Sequence, residues 1–442
     1  MAEAIRGLRT ADVRFPTSQG RHGSDALHPA PDYSAAVVVV ETNSDDGIEG
    51  HGLAFTLGRG TEVVVAAIQA LAPLVVGLPL GAVESDMGWI WRRLAGDGQL
   101  RWLGPEKGVI HLATAAVINA LWDLRSRRAG LPLWRHLLAC SPEELVACID
   151  FRHLTDALTP EDALELLRRG RRGGASREAE LVAAGLPAYT TSPGWLGYAD
   201  DELRTRCRAA AEAGFELVKL KVGGDPLADR RRCAVARDEL GPGRRLALDA
   251  NQAWDVAAAV VATRQLAGFD PLWIEEPTSC DDILGHAAIA RQVAPILVAT
   301  GEHVHNRVMF KQLLATGGMG VCQLDACRLG GVNEVLAVLC LAALHDVPVC
   351  PHAGGVGLCE MAVHVAAFDA LGVGGERGDR TVEWVDELHQ HFQDPVTVER
   401  GRYRLPEAPG FGTKFCADSV RRFRFPGGAA WRRATGAAPG EV

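Results

Sequence analysis

Three carboxylates in this chain are spaced to share one metal ion. Asp249, Glu275 and Glu302 each stand at the end of a short apolar run, 246–249, 272–275 and 296–302, and they follow one another at steps of 26 and 27 residues. The runs are too short for helices and are bounded by Pro, Gly and Asn, so they read as buried parallel strands whose last residue turns polar. A carboxylate at the C-terminal end of each of three successive strands describes a metal site at the mouth of a (β/α) barrel. Three hard oxygen ligands, with no Cys or His among them, favour Mg²⁺ over Zn²⁺.

The same rhythm supplies acids and bases on either side. Lys219 and Lys221 close the run 215–221 and, two residues apart, share one face of a strand. Asp325, His352 and Glu383 close the runs 321–325, 347–352 and 381–383. Lys221 and His352 are the candidate bases, reaching a substrate from different sides. Asp325, one unit before His352, can accept an imidazole N–H and fix the tautomer. Lys219, together with the metal, is expected to lower the pKa of Lys221 toward a working range. Asn251 and Glu276 lie one or two residues beyond ligands, which suits hydrogen bonding to them.

The elements that position these groups follow from periodicity. Residues 186–385 read as the barrel, its first strand at 186–191 ending in hydroxyls, Thr190 among them, that face the rim. Residues 1–139 read as an α+β capping domain: a three-stranded start, a hairpin turn at Asp46-Gly47, then helices over 61–76, 83–94 and 109–127. Its long Gly- and Pro-rich loop, 18–33, has the length of a binding loop. Residues 140–185 read as an insertion, with a strand at 145–150, a helix at 160–168 and a solvated basic loop in the Arg-rich stretch 168–178. Residues 386–442 read as a mostly irregular return segment packing on the capping domain, with Arg421, Arg422, Arg424, Arg432 and Arg433 as a solvated edge.

Composition narrows the partners. The 442 residues suffice for a barrel and a second domain, and 48% apolar with 23% charged residues is ordinary for a globular protein. A net charge of -9 argues against nucleic acid, whose phosphates need a basic face. No apolar run reaches the roughly 20 residues that span a bilayer, and no targeting segment opens the chain, so a cytoplasmic location is expected. Eleven cysteines without paired spacing read as reduced, packed thiols.

Lys219-Leu-Lys221, Leu248-Asp-Ala-Asn251, Trp273-Ile-Glu-Glu-Pro277, Gly301-Glu302, Asp325 and His352 together resemble the enolase superfamily, in its mandelate racemase subgroup. The stretches 14–17, 23–26, 31–33, 188–197, 351–360 and 388–391 further resemble the L-fuconate dehydratases within it. That resemblance implies a (β/α)₇β modified TIM barrel with an α+β cap, one Mg²⁺ on Asp249, Glu275 and Glu302, Lys221 and His352 as acid/base groups, and Glu383 hydrogen-bonded to an enediolate. It implies sugar hydroxyls bound by Ser24, Asp25, His28 and Tyr33 from the capping loop. The activity it implies is dehydration of a sugar acid, L-fuconate first. A racemase or epimerase, a dehydratase of another aldonic acid, and a non-catalytic barrel are the rival readings. The expected partners are the small-molecule acid and further copies of this chain in a homo-oligomer.

Overall fold

A computed structural model describes residues 3–374 and 380–432. Arg433, assigned above to the basic edge, lies outside the described residues. The chain opens with an antiparallel sheet of β1 (Ile5–Arg14), β2 (Ser34–Thr42) and β3 (Gly50–Thr56), in that order. β-Branched Val37 to Val40 suit the pleat, and all four are buried. The helix Gly108–Arg128 lies directly on β3. A Cβ at Gly50 or Gly52 would stand 2.2 Å from the carbonyl oxygens of Ala120 and Ala116 respectively, so only glycine admits this approach. The helix Thr61–Val75 buries Val64, Ile68, Leu71 and Val75, the three- and four-residue steps of an amphipathic face.

The barrel begins at β4 (Leu186–Gly194) and continues in parallel through β5 (Leu217–Lys221), β6 (Arg245–Asp249), β7 (Pro271–Glu275), β8 (Leu297–Thr300) and β9 (Val321–Cys322). The seventh position is held by a bridge from Val349 to Cys322, because Pro348 and Pro351 cannot donate to a ladder. β10 (Val382–Trp384) pairs back onto β4 and closes the ring. Among the described residues, seven α-helices separate the eight positions, giving the (β/α)₇β arrangement. One interior layer is Tyr189, Leu217, Ala247, Trp273, Ala299, Val321 and Cys350. Tyr189 and Trp273 meet edge to face at 5.4 Å and plug the barrel, each worth roughly 1.5–3 kcal/mol by burial. Strand parity then places the residue two positions further on, such as Lys219, Asp249, Glu275 or His352, one level higher inside the ring.

Several elements differ from the sequence reading. The 145–150 strand is instead the helix Pro142–Cys148, started by a capping box of Ser141 with Glu144 and Pro142 at its first turn. The 83–94 helix is two, Leu80–Ser85 and Met87–Ala95, parted at Asp86, whose carboxylate caps the second through the Trp89 N–H. The Arg-rich stretch is not a solvated loop. It spans the end of one helix, Pro160–Gly170, and the start of another, Gly174–Ala184, with Arg171 donating to the carbonyls of Leu137 and Cys140. The return segment contacts both units. β11 (Val398–Glu399) and β12 (Arg402–Tyr403) form a hairpin that extends the barrel sheet at β4, while Phe415 and Phe423 pack on Phe15 of β1's C-terminal end. All eleven cysteines are free.

A buried charge network ties these units together. Arg307, 1% exposed, places Nη1 2.7 Å from Glu106 and 3.0 Å from Glu334, and Nη2 3.3 Å from Asp150. His111 Nε2 lies 2.7 Å from the other Glu334 oxygen.

Candidate active site

The strand ends converge as the spacing requires. Asp249, Glu275 and Glu302 are all buried and each offers an oxygen within 4.8 Å of the others. Asp249 and Glu275 sit side by side in register on β6 and β7, and Glu302 follows β8 after Gly301, whose φ of 147° turns the chain over Gln323. Among the described residues, Glu302 Oε2 is buried without a hydrogen bond and has only His352 Nε2 at ion-pair distance, 3.4 Å away, so a cation there would satisfy it. Gln323 and Trp273 donate to Glu275 Oε2 at 2.6 and 3.2 Å, and the backbone N–H of Asn251 donates to Asp249 Oδ1 at 2.9 Å. Three mutually close carboxylates held in fixed rotamers by such donors fit a hard divalent cation, Mg²⁺. Burial and the neighbouring Asp249 push the Glu275 carboxyl well above its usual range, the strain expected of an acid cluster that a metal neutralises.

Lys219 and Lys221 face this cluster. Lys219 is buried among Glu275 at 2.6 Å, Glu383 at 2.9 Å and Asp249 at 3.5 Å. Lys221 Nζ is 2.5 Å from Asp249 Oδ2. Burial depresses the Lys221 ammonium and Lys219 adds to that, but Asp249, Glu302 and Asp25 outweigh both, so its pKa lies above the ordinary lysine value. The sequence expectation of a lowered Lys221 pKa includes the metal, whose charge would offset these ligand carboxylates; without it they hold the ammonium up.

Across the mouth, His352 Nδ1 is 2.8 Å from Asp325 Oδ2, and its Nε2 is 3.4 Å from Glu302. Burial disfavours the imidazolium, yet Glu302, the Asp325 hydrogen bond and Glu383 raise its pKa to about 9. Glu383 accepts from the Ala353 N–H at 2.8 Å and from the Thr191 hydroxyl; burial opposes its ionisation, but Lys219 and His352 pull its pKa down to about 2. Thr190 is not brought into the site. Tyr189 points into the barrel, so Thr190 points out and Thr191 points in. That one-residue parity was open from the sequence.

The capping loop closes the cavity, but its residues divide by role. Asp25, His28 and Tyr33 line the cleft with Lys221, Asn251 and His352. Ser24 instead fastens the loop: its Oγ accepts from Gly197 N–H at 2.9 Å and its carbonyl from Leu196 N–H at 3.0 Å. Asn251 holds φ at 43° and leaves its Oδ1 unpartnered beside the ligands. Glu276 serves His303, whose Nδ1 lies 2.9 Å from it and 3.2 Å from Glu302. Trp195, inside the 188–197 stretch, also lines the cleft, as do Phe55, Leu57, His303 and Arg328, which were not singled out in the sequence. Only the adjacency of His303 to Glu302 could have signalled one of them.

Comparison with known proteins agrees with this geometry. Residues 30–138 match the family described as Mandelate racemase / muconate lactonizing enzyme, N-terminal domain, and residues 202–419 match Enolase C-terminal domain-like. The chain is 54% identical to Mitochondrial enolase superfamily member 1 of Bos taurus, covering 97% of each, and 48% identical to L-galactonate dehydratase of Hypocrea jecorina, covering 97% and 96%. The crystal structure of human Mitochondrial enolase superfamily member 1 superposes with a TM-score of 0.97 at 52% identity over 99% of this chain and 100% of that one. L-talarate/galactarate dehydratase from Salmonella typhimurium LT2, liganded with Mg and L-lyxarohydroxamate, superposes with a TM-score of 0.74 at 25% identity over 96% and 93%. A cap, a closed (β/α)₇β ring and a carboxylate trio opposite a Lys and a His–Asp pair make this chain a member of the enolase superfamily, in its mandelate racemase and muconate lactonizing enzyme subgroup.

Proposed function

We propose that the chain is a Mg²⁺-dependent hydro-lyase that dehydrates a sugar acid, with L-fuconate as its substrate and the 2-keto-3-deoxy acid as product. The observation that carries the reading is the His352–Asp325 pair, 2.8 Å apart, with the free Nε2 turned toward the metal ligands. Mg²⁺ on Asp249, Glu275 and Glu302 supplies fixed positive charge where the substrate carboxylate gains negative charge. With Glu302, the carboxylate that most raises its pKa, offset by Mg²⁺, His352 as the neutral imidazole takes the C2 proton through Nε2 while Asp325 holds the N–H on Nδ1. Negative charge then spreads into the carboxylate, and the buried Lys219 ammonium lies against the same ligands that face it. The imidazolium next returns its proton to the C3 hydroxyl, which leaves as water. The C2 enol that remains tautomerises to the 2-keto-3-deoxy acid, so atoms and protons balance.

Similarity to an L-galactonate dehydratase makes L-galactonate the nearest competitor, and it differs from L-fuconate by a single C6 hydroxyl. Phe55 and Leu57 of the cap present apolar surface to the cleft, which suits the C6 methyl of L-fuconate better than a hydroxymethyl. Incubating the Mg²⁺-loaded protein with each acid and assaying 2-keto-3-deoxy product tests the assignment. L-Fuconate should turn over with the larger kcat/KM; a preference for L-galactonate overturns the substrate, and no 2-keto acid from any aldonate overturns the dehydratase. Lys221 also lines the cleft, which supports racemisation or epimerisation as the second reading. A change in optical rotation without 2-keto acid would select it.

A further inference from the structure

Among the described residues, three in the wall of the cleft carry a buried polar atom without a hydrogen bond: Glu302 Oε2, Asn251 Oδ1 and Trp195 Nε1. The first is explained by a cation and the second lies beside its ligands. The indole N–H of Trp195 has neither explanation. Trp195 is 3% exposed, stands in the cleft, and its ring centroid is 5.7 Å from Lys221 Nζ. A buried donor left unsatisfied is costly, so a chain that keeps one inside a binding cleft keeps it for a ligand acceptor. Its setting is built: Arg232 anchors the Trp195 carbonyl at 3.0 Å, and Ser24 grips the next two residues, Leu196 and Gly197, from the capping loop.

We propose that Trp195 is a substrate-binding residue that donates its indole hydrogen bond to a hydroxyl of the sugar acid beyond C3, on the Lys221 side of the cleft, with Ser24 as its positioning residue. The inference rests on the sugar-acid reading above and deepens it. Indole is a donor only, so it accepts a hydroxyl or carbonyl oxygen and rejects a second donor. The flat ring meanwhile packs beside the Lys221 ammonium, so one side chain both flanks Lys221 and reads the substrate. Ser24 therefore reaches the substrate through the 195–197 turn rather than by touching it.

The test is Trp195→Phe, which keeps an aromatic ring and removes the N–H, assayed on L-fuconate and on its 4-deoxy and 5-deoxy analogues. Wild type should prefer the parent over one analogue, and the variant should lose that preference by roughly two- to tenfold, the worth of one neutral hydrogen bond. Ser24→Ala should move the same ratio in the same direction by less. Packing loss alone would lower all three acids alike, so a uniform fall, or no change, overturns the proposal. Turnover of the parent by wild type tests the underlying reading separately. If no aldonic acid is dehydrated, calorimetric binding of the same three acids to Mg²⁺-loaded wild type and Trp195→Phe decides the matter, with an unchanged ratio again overturning it.

Discussion

Replacing Arg307 by Met should cost a large part of the protein's stability without touching the metal site, and the loss should depend on pH in a defined direction. Met keeps the stem and roughly the volume but deletes the fork that joins Glu106, Asp150 and Glu334. Breaking a buried ion pair from one side costs about 3–5 kcal/mol, against about 5–15 kcal/mol for a whole domain. Glu334 gives an independent figure. Burial alone would raise its carboxyl, but His111 and Arg307 together bring it from 4.5 to about 2, which at about 1.4 kcal/mol per unit is worth ~3 kcal/mol. A carboxylate depressed in the folded state contributes stability above its unfolded pKa and loses it as pH falls through the folded one. The wild-type contribution is thus complete above about pH 5 and fades toward pH 2. Asp150 adds to it: burial raises its carboxyl, but Arg152 and Arg307 hold it below the usual value. His111, which lowers Glu334 more than Arg307 does, stays in the variant, so only the Arg307 share of this contribution is lost. The gap in unfolding free energy, read from urea titrations followed by tryptophan fluorescence, should therefore be widest near pH 7 and shrink on acidification. A gap that is constant or widens toward pH 3 would refute the argument, and Arg307→Lys should recover only part of the loss because an ammonium cannot fork to three acids.

Two further outcomes test the chemistry. Chelation should abolish turnover and Mg²⁺ restore it, and Glu302→Gln should weaken metal binding and activity together while leaving the circular dichroism spectrum intact; full activity in a metal-free sample would sink the site assignment. His352→Asn should lower dehydration by at least the roughly 10²-fold typical of a lost general acid or base, with Asp325→Asn milder, and near-normal 2-keto acid from His352→Asn in D₂O would mean that another group is the acid.

What the sequence disclosed was periodic, and what it concealed was not. A closed parallel ring forces one inward polar end per strand-and-helix unit, so Lys221, Asp249, Glu275, Glu302, Asp325, His352 and Glu383 stood out before any coordinates. Parity within a strand has no such mark: Thr190 and Thr191 are equivalent on paper, and only the inward Tyr189 decides between them. The helix at Pro142–Cys148 carries its start signal in Ser141-Pro-Glu-Glu144, ahead of the apolar run that alone resembles a strand. Asp86 likewise broke a helix whose apolar recurrence ran through it. Arg328 and the partners of Arg307 are joined only by long-range packing, which leaves no spacing to read.

The close seating of the helix Gly108–Arg128 on Gly50 and Gly52 reaches beyond packing. β3 runs on from those glycines to Phe55, which enters the cleft beside the turn after His352, where a Cβ on Gly355 would meet its ring at 2.6 Å. The strand cannot slide or tilt without breaking backbone contact along the helix, so Phe55 and Leu57 travel with the whole cap as one die. On the proposed reading, a cap transplanted between relatives should carry its preference with it, whereas single substitutions on β3 meet an unyielding neighbour.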